Sequence, residues 1–327
     1  VSVTAVIPTW NRRDLLAQVL ADLAAQRPEP PAVIVVDNGS TDGASETARC
    51  AGAQVIRFEE NRGFAAAVNA GIRAAGTEWV AILNNDVRLD SGWLAALLHS
   101  AQREQAAFAC GRILQQHDPR RIDATFDAVC RGGLALRCGS GRVDGPYWRQ
   151  PRRIAIAPMT AALFRRDLFD RAGGLDESFG SYLEDVDFGL RVAAAGFEGW
   201  YEPEAVAWHL GSATFGAWKG DTVRLLARNQ ILLAHKHFAY HWRCRVMAAQ
   251  MLWGWSAWRR GLVSAWQAGR KEGRALVAEQ PPAVSVDGMR RTIERSERLL
   301  REVQEETGWD WLWRIWFTFS GIAKEER

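Results

Sequence analysis

Two short polar runs stand out by residue type and spacing. One is Asn84-Asn85-Asp86, which directly follows the apolar run Val80–Leu83; the other is Glu184-Asp185-Val186-Asp187, with three carboxylates in four residues. The apolar run reads as a strand buried on both faces. In open α/β sheets ligands sit outside the carboxyl ends of the strands, so an acidic tip there lies where chemistry is expected. One Asp after a strand is also an ordinary turn or cap residue. The second run opens a helix whose buried stripe is Leu183, Val186, Leu190 and Val192 to Ala194. Acids suit the positive end of a helix, but one carboxylate is enough to cap it. The surplus points to a ligand site.

The elements that would position these runs follow from periodicity. Val3 to Ile7, Ala32 to Val36, Gln54 to Phe58 and Val80 to Leu83 read as strands. Helical spacing over Leu15–Leu23 and an Ala-rich stretch to Ala75 fall between them. The alternation predicts an α/β fold with a mostly parallel, doubly wound sheet. Polar residues recur at successive strand ends: Thr9 and Asn11, Asp37 and Asn38, Arg62, then Asp86. Each passes as a turn former, but four along one edge favour a ligand site. Further strands are expected over Ala106–Leu114, Ile154–Met159 and Gly199–Trp208, the last ending at His209, with a hairpin or loop within 115–150.

Several function classes are excluded. No GxGxxG follows the first strand and no GxxxxGK[ST] occurs, so neither a dinucleotide fingerprint nor a P-loop is supported. A net charge of +3 is too small to argue for nucleic acid. Five cysteines form no CxxC pair, as expected of reduced cytoplasmic thiols. No apolar run reaches membrane-spanning length, and residues 1–8 read as a core strand rather than a signal peptide.

The ordered motifs Ile7-Pro-Thr-Trp-Asn-Arg12, Val36-Asp-Asn-Gly-Ser-Thr-Asp42, Asn61-Arg-Gly-Phe64 with Asn69-Ala-Gly71, Leu83-Asn-Asn-Asp86, Gly173-Gly-Leu-Asp176, Glu184-Asp-Val-Asp-Phe188 and Trp208-His209 together resemble the family 2, inverting, GT-A-fold glycosyltransferases, rhamnosyltransferase-like members most of all. The resemblance covers roughly residues 3–215. It implies a nucleoside diphosphate sugar donor, dTDP- or UDP-linked, and a glycan or lipid-linked acceptor. Thr9, Asn11, Arg12, Asp37, Asn38, Arg62, Gly63 and Asn85 would hold the donor, with Asp37 receiving the pyrimidine imide N–H. Asp86 and His209 would meet a divalent metal, Mg²⁺ or Mn²⁺. Asp185 would be the catalytic base, and Glu184, Asp187 and Asn84 would shape the acceptor side or support the site. A divalent cation offsets the charge gathering on a leaving diphosphate. Inversion needs a base opposite the leaving group, on the acceptor hydroxyl. The family's metal motif usually reads Asp-x-Asp, and Asn84 takes its first place here. A sugar nucleotidyltransferase and a silent sugar-nucleotide-binding protein at the membrane are the competing readings.

Beyond residue 215 the chain changes character: twelve of its sixteen tryptophans lie from Trp200 onward. A catalytic domain over 1–215 and a helical extension over 216–327 are expected, with a lid or a plain connector over Gly211–Gly216. Residues 243–274 carry seven Lys or Arg against one Glu. That pattern fits an interior face wrapped in arginines or a helix on an anionic bilayer. His237 and His241 stand four apart with no carboxylate between them, which suits packing better than a metal. The aromatic run Trp309–Phe319 is too short to span, so it docks on the protein, pairs with another subunit, or anchors at the cytoplasmic face of the cell membrane.

Overall fold

The computed structural model describes residues 2–211, 218–238, 242–278 and 287–319. The chain divides into two compact units. The first is Val1–Asp127 with Gly139–Thr214; the second is Ala128–Cys138 with Phe215–Arg327.

The first unit begins with β1 (Val3–Thr9), α1 (Arg13–Ala24), β2 (Ala32–Asn38), α2 (Ala44–Cys50), β3 (Gln54–Phe58), α3 (Phe64–Ala74) and β4 (Trp79–Leu83). These strands pair in parallel, in the order β3-β2-β1-β4. Every residue of β1 and of β4 is buried, as their unbroken apolar sequence requires for strands covered on both faces. Helix α3 reaches β1 and β2 closely because residue 71 has no side chain: a Cβ at Gly71 would lie 2.3 Å from Val6 Cγ1.

The sheet then continues through β5 (Val87–Leu89), α4 (Trp93–Arg103), β6 (Phe108–Gln115), β7 (Ile122–Ala124), β8 (Asp127–Val129), β9 (Ala135–Arg137), β10 (Arg152–Ile154), β11 (Ala161–Arg165), α5 (Asp167–Arg171), α6 (Glu184–Ala194) and β12 (Gly199–His209). The full order is β10-β12-β6-β11-β4-β1-β2-β3. Strand β11 is antiparallel to both β4 and β6, while β6 and β12 pair in parallel. The result is an α/β mixed, mostly parallel sheet. One strand expectation is corrected: Ile154–Met159 is not a strand. β10 ends at Ile154, Ile156 makes a single bridge to Asp127, Pro158 lacks an N–H to donate to a ladder, and the next strand starts at Ala161.

The second unit contains α7 (Gly220–His237), α8 (Arg243–Trp258), α9 (Val263–Ala278), α10 (Asp287–Thr307) and α11 (Trp311–Phe319). Glycines let α7 and α9 cross closely, since a Cβ at Gly269 would meet the Arg224 carbonyl oxygen at 2.0 Å. The hairpin segment 128–138 belongs here through buried polar contacts. Val129 N–H donates to Ser296 Oγ at 2.8 Å, and Arg131 Nε lies 2.5 Å from Glu297 Oε2. Trp316 Nε1 donates to the other Glu297 oxygen at 2.6 Å. Trp313 and Trp316 are buried, so α11 docks inside its own unit along that face. His237 is buried; its sequence partner His241 lies outside the described residues.

Glu297 is fully buried and serves two donors at once. Glu297→Ala removes the carboxylate opposite a mostly buried guanidinium, a change that typically costs about 3–5 kcal/mol. The expected outcome is a clear fall in melting temperature, and an unchanged one would contradict the clasp.

Candidate active site

The polar strand ends are tied into one framework. Thr9 and Asp37 are register partners across β1 and β2. Asn85 Nδ2 donates to Thr9 Oγ1 at 2.8 Å, which joins the end of β4 to that of β1. Asn11 N–H donates to Ser40 Oγ at 2.8 Å, and Asn11 Oδ1 accepts Thr41 N–H at 3.0 Å. Asn38 is the hub toward β3: its Oδ1 accepts Arg62 N–H at 2.8 Å and its Nδ2 donates to the Gly63 carbonyl at 3.0 Å. Arg62 lies over the Phe58 ring at 4.8 Å and is half exposed. Asn84 is half-buried, and its backbone N–H donates to the Thr160 carbonyl at 2.9 Å, joining the β4 end to the approach of β11.

Asp37 is fully buried. One oxygen accepts Ser40 N–H at 2.8 Å; the other accepts the Ser45 hydroxyl and Arg57 Nη1, the latter at 2.6 Å. Burial would raise its pKa, but the Ser40 and Ser45 hydrogen bonds and the Arg57 charge hold it below the usual carboxylate value. Asp37 is therefore ionised and orders the loop after β2. Three of the carboxylate's about four acceptor sites are thus taken, which leaves one on Oδ1 for a base imide.

Two pairs of consecutive non-glycine residues hold left-handed backbone at this edge: Asn11 (φ 57°) with Arg12 (φ 64°), and Tyr182 (φ 75°) with Leu183 (φ 67°). Such residues cost about 1–3 kcal/mol each and concentrate at functional loops. The first pair starts α1, the second starts α6. Gly63, with φ 87°, packs on the loop ahead of α6, where an added Cβ would stand 3.0 Å from the Gly180 Cα and oxygen. Ala65 N–H closes that contact by donating to the Gly180 carbonyl at 3.1 Å.

The three acids of α6 separate by environment. Asp187 is fully buried and pairs with Arg191 at 2.8 Å. Arg191 in turn donates to the carbonyls of Ala172, Gly173 and Gly174. Asn69 holds the same loop from the other side through Leu175, by 2.8 Å bonds in both directions. Asp187 thus braces the Gly173–Asp176 loop. Glu184 is buried. Asp185 is the partly exposed member, with one oxygen accepting Val186 N–H at 2.8 Å.

Asp86 and His209 meet. Their side chains approach at 3.1 Å through His209 Nε2, while Nδ1 lies 2.9 Å from Asp123 Oδ2. The β5–β12 pairing, with His209 opposite Val87, sets this meeting. Burial alone would depress the imidazole pKa, but the hydrogen bonds and charges of Asp123 and Asp86 outweigh it and raise it to about 9. At neutral pH the ring is a buried cation between two carboxylates. Asp123 is absent from every motif quoted above; it lies in the 115–150 stretch, where no periodic signal marks it. Asp123→Asn keeps an acceptor but removes a charge, so the His209 pKa should fall toward its ordinary value of 6.5. Imidazole NMR titration of the metal-free protein checks this, and an unchanged pKa would assign the proton's retention to Asp86 alone.

Carboxylate and neutral imidazole suit a divalent ion as a partial donor set, so a cation bound here would displace the His209 Nε2 proton. Among the described residues no cluster of three or more His, Cys, Asp or Glu is arranged to hold a metal. Two protein donors would leave the other positions to diphosphate oxygens and water. An open cleft of about 740 Å³ lies beside the pair, lined by Trp10, Asn11, Arg12, Arg13, Asp42 and Leu210 among others. Leu210 N–H donates to the Asp86 carbonyl at 3.1 Å, so the cleft adjoins Asp86, although Asp86 and Asp185 are not in its lining. The lid expected over Gly211–Gly216 falls outside the described residues except for Gly211 itself.

A mixed, mostly parallel sheet with a β3-β2-β1-β4 half and an antiparallel β11 is typical of the GT-A class of folds. The profile "Glycosyl transferase family 2" matches residues 4–173. The N-acetylglucosaminyl-diphospho-decaprenol L-rhamnosyltransferase of Mycobacterium tuberculosis is 30% identical over 275 residues, which is 73% of this chain and 87% of that protein. The chain belongs to glycosyltransferase family 2, whose members transfer sugars with inversion. Two solved structures share the fold at low identity. GalNAc-T7 with UDP, GalNAc and Mn²⁺ has a TM-score of 0.61 at 13% identity, covering 87% of this chain and 59% of its own. The mannosyltransferase PcManGT from Pyrobaculum calidifontis, with GDP-Man and Mn²⁺, has a TM-score of 0.53 at 17% identity, covering 93% and 82%.

Proposed function

We propose that this chain moves a sugar, with rhamnose as the favoured identity, from a dTDP- or UDP-sugar to a hydroxyl of a growing cell-surface polysaccharide or its lipid-linked precursor. The observation that carries the reading is the buried Asp86–His209 pair at the edge where the strand-end loops converge. The rhamnose assignment draws its support from the rhamnosyltransferase relative, and the lipid-linked acceptor from that protein's name.

In this reading Thr9, Asn11, Asn38, Gly63 and Asn85 hold the donor loops in register, and Arg12 and Arg62 meet the base or diphosphate. Asp86 and His209 would hold Mg²⁺ or Mn²⁺, which supplies charge to offset that of a departing diphosphate. Asp185 takes the acceptor hydroxyl proton as that oxygen attacks the anomeric carbon. Asp37 accepts the pyrimidine imide N–H, and Asn84, Glu184 and Asp187 support these groups from behind. The protein would work at the cytoplasmic face of the cell membrane, where a lipid-linked acceptor is met. The extension over 216–327 would make that contact.

A thermal-shift series with nucleotide sugars, with and without Mn²⁺, tests the reading. A ligand bound only to the folded state at a hundred times its Kd adds about 2.7 kcal/mol of stability. Pyrimidine nucleotide sugars should raise the melting temperature, more so with Mn²⁺. No shift with any nucleotide sugar would overturn the proposal.

A further inference from the structure

Helix α8 is built inside out. Its buried residues are Ala249, Gln250, Gly254, Ser256 and Ala257, all small or polar. Four of its bulky apolar residues face outward: Met247 is 62% exposed, Met251 71%, Trp255 43% and Trp258 63%, while Val246, Leu252 and Trp253 are half-buried. Their spacing of four, four and three places them within an arc of about 80° on one side of the helix. The small inner face has a packing reason, since a Cβ at Gly254 would stand 2.6 Å from the Trp266 ring of α9. The outer stripe has no such reason, and contiguous exposed apolar surface of this kind marks an interaction site.

We propose that this stripe of α8 seats the protein on an anionic lipid bilayer. The charge carried by α8 and α9, with Arg259 at the stripe itself, selects the partner. From Arg243 to Arg274 there are seven Lys or Arg against one acid, Glu272, which Arg224 engages at 2.7 Å. Arg259 sits at the stripe's edge, 5.5 Å from the Trp255 ring centre and 5.6 Å from that of Trp311. Trp255 and Trp311 meet edge to face at 5.0 Å, which carries the aromatic surface from α8 onto α11. Tryptophan suits the headgroup level of a bilayer, and arginine suits its phosphates. A second copy of the chain is the other candidate, but a twofold contact through this stripe would bring the same basic surround against itself. No helix among the described residues is long and apolar enough to cross a membrane. Helix α8 would therefore lie in the plane of the interface, with Met247, Met251, Trp255 and Trp258 inserted. Such seating deepens the proposed function, on which its purpose rests: a lipid-linked acceptor has to be met at a membrane.

Flotation of the full chain with vesicles of phosphatidylcholine, alone or mixed with phosphatidylglycerol, is the test. Partitioning should be about tenfold or more stronger to the mixed vesicles and should weaken as salt is raised. The exposed double variant Met251→Glu with Trp258→Glu should lose about tenfold or more of that partitioning, with its melting temperature and nucleotide-sugar thermal shift unchanged. Equal partitioning of wild type and variant would overturn the proposal, as would equal binding to neutral vesicles. A concentration-dependent dimer in sedimentation equilibrium that the variant abolishes would instead make the stripe a subunit interface. Vesicle binding is read without any sugar transfer. A wild-type chain that transfers sugar to a soluble acceptor but does not bind the mixed vesicles rejects the membrane face alone, and one that binds them without transferring sugar rejects the proposed function alone.

Discussion

Asp185→Asn is expected to slow sugar transfer by about 10²–10⁴-fold, the usual loss on removing a general base. The substitution keeps the size of the side chain and an oxygen able to accept Val186 N–H, the 2.8 Å bond seen at the start of α6. It cannot take the acceptor's proton. Of the three acids at that helix start, Asp187 and Glu184 are buried and Asp185 is partly exposed, which makes it the one an acceptor can reach. Donor affinity, assigned to the strand-end loops, should barely change. Single-turnover rates beside donor titrations separate the two effects. Near wild-type transfer, or a matching loss of donor affinity, would remove Asp185 from the role of base.

Asp86→Ala should act on both quantities. It deletes one of the two protein donors proposed for the cation and leaves His209 with Asp123 as its carboxylate partner. Charge stabilisation by a bound metal is worth several kcal/mol in the transition state, so turnover should fall by about 10³-fold. Mn²⁺ binding measured by electron paramagnetic resonance, with nucleoside diphosphate present, should weaken together with donor affinity. Intact Mn²⁺ and donor binding in Asp86→Ala would place the cation elsewhere or make the transfer independent of it.

The parallel half of the sheet was legible because it is locally encoded. Gln54–Phe58 reads as β3 from its apolar content and flanking turns, and β4 reads from its unbroken buried run. The site edge was legible for the same reason: parallel strands bring Thr9, Asp37 and Asp86 to one side whatever their loops do. What failed depends on distant contacts. Between Ile154 and Phe164 the chain is apolar on both sides of Pro158, so only the pairing of β11 with β4 and β6 shows which side carries the strand. The hairpin 128–138 belongs to the helical unit through Ser296, Glu297 and Trp316, more than 150 residues away, and nothing local announces that. Asp123 became visible only when His209 was found between two carboxylates. The aromatic C-terminal segments looked alike in sequence, yet α11 turns Trp313 and Trp316 inward while α8 turns Met247, Met251, Trp255 and Trp258 out.

The most direct test of the central claim is an NMR time course of the full chain with dTDP-rhamnose or a UDP-sugar, Mn²⁺ and a lipid-linked glycan acceptor, following phosphorus and anomeric proton signals together. The account predicts nucleoside diphosphate appearing in step with a glycoside of inverted anomeric configuration. Pyrophosphate as the product, a retained configuration, or donor that binds and is never consumed would contradict it.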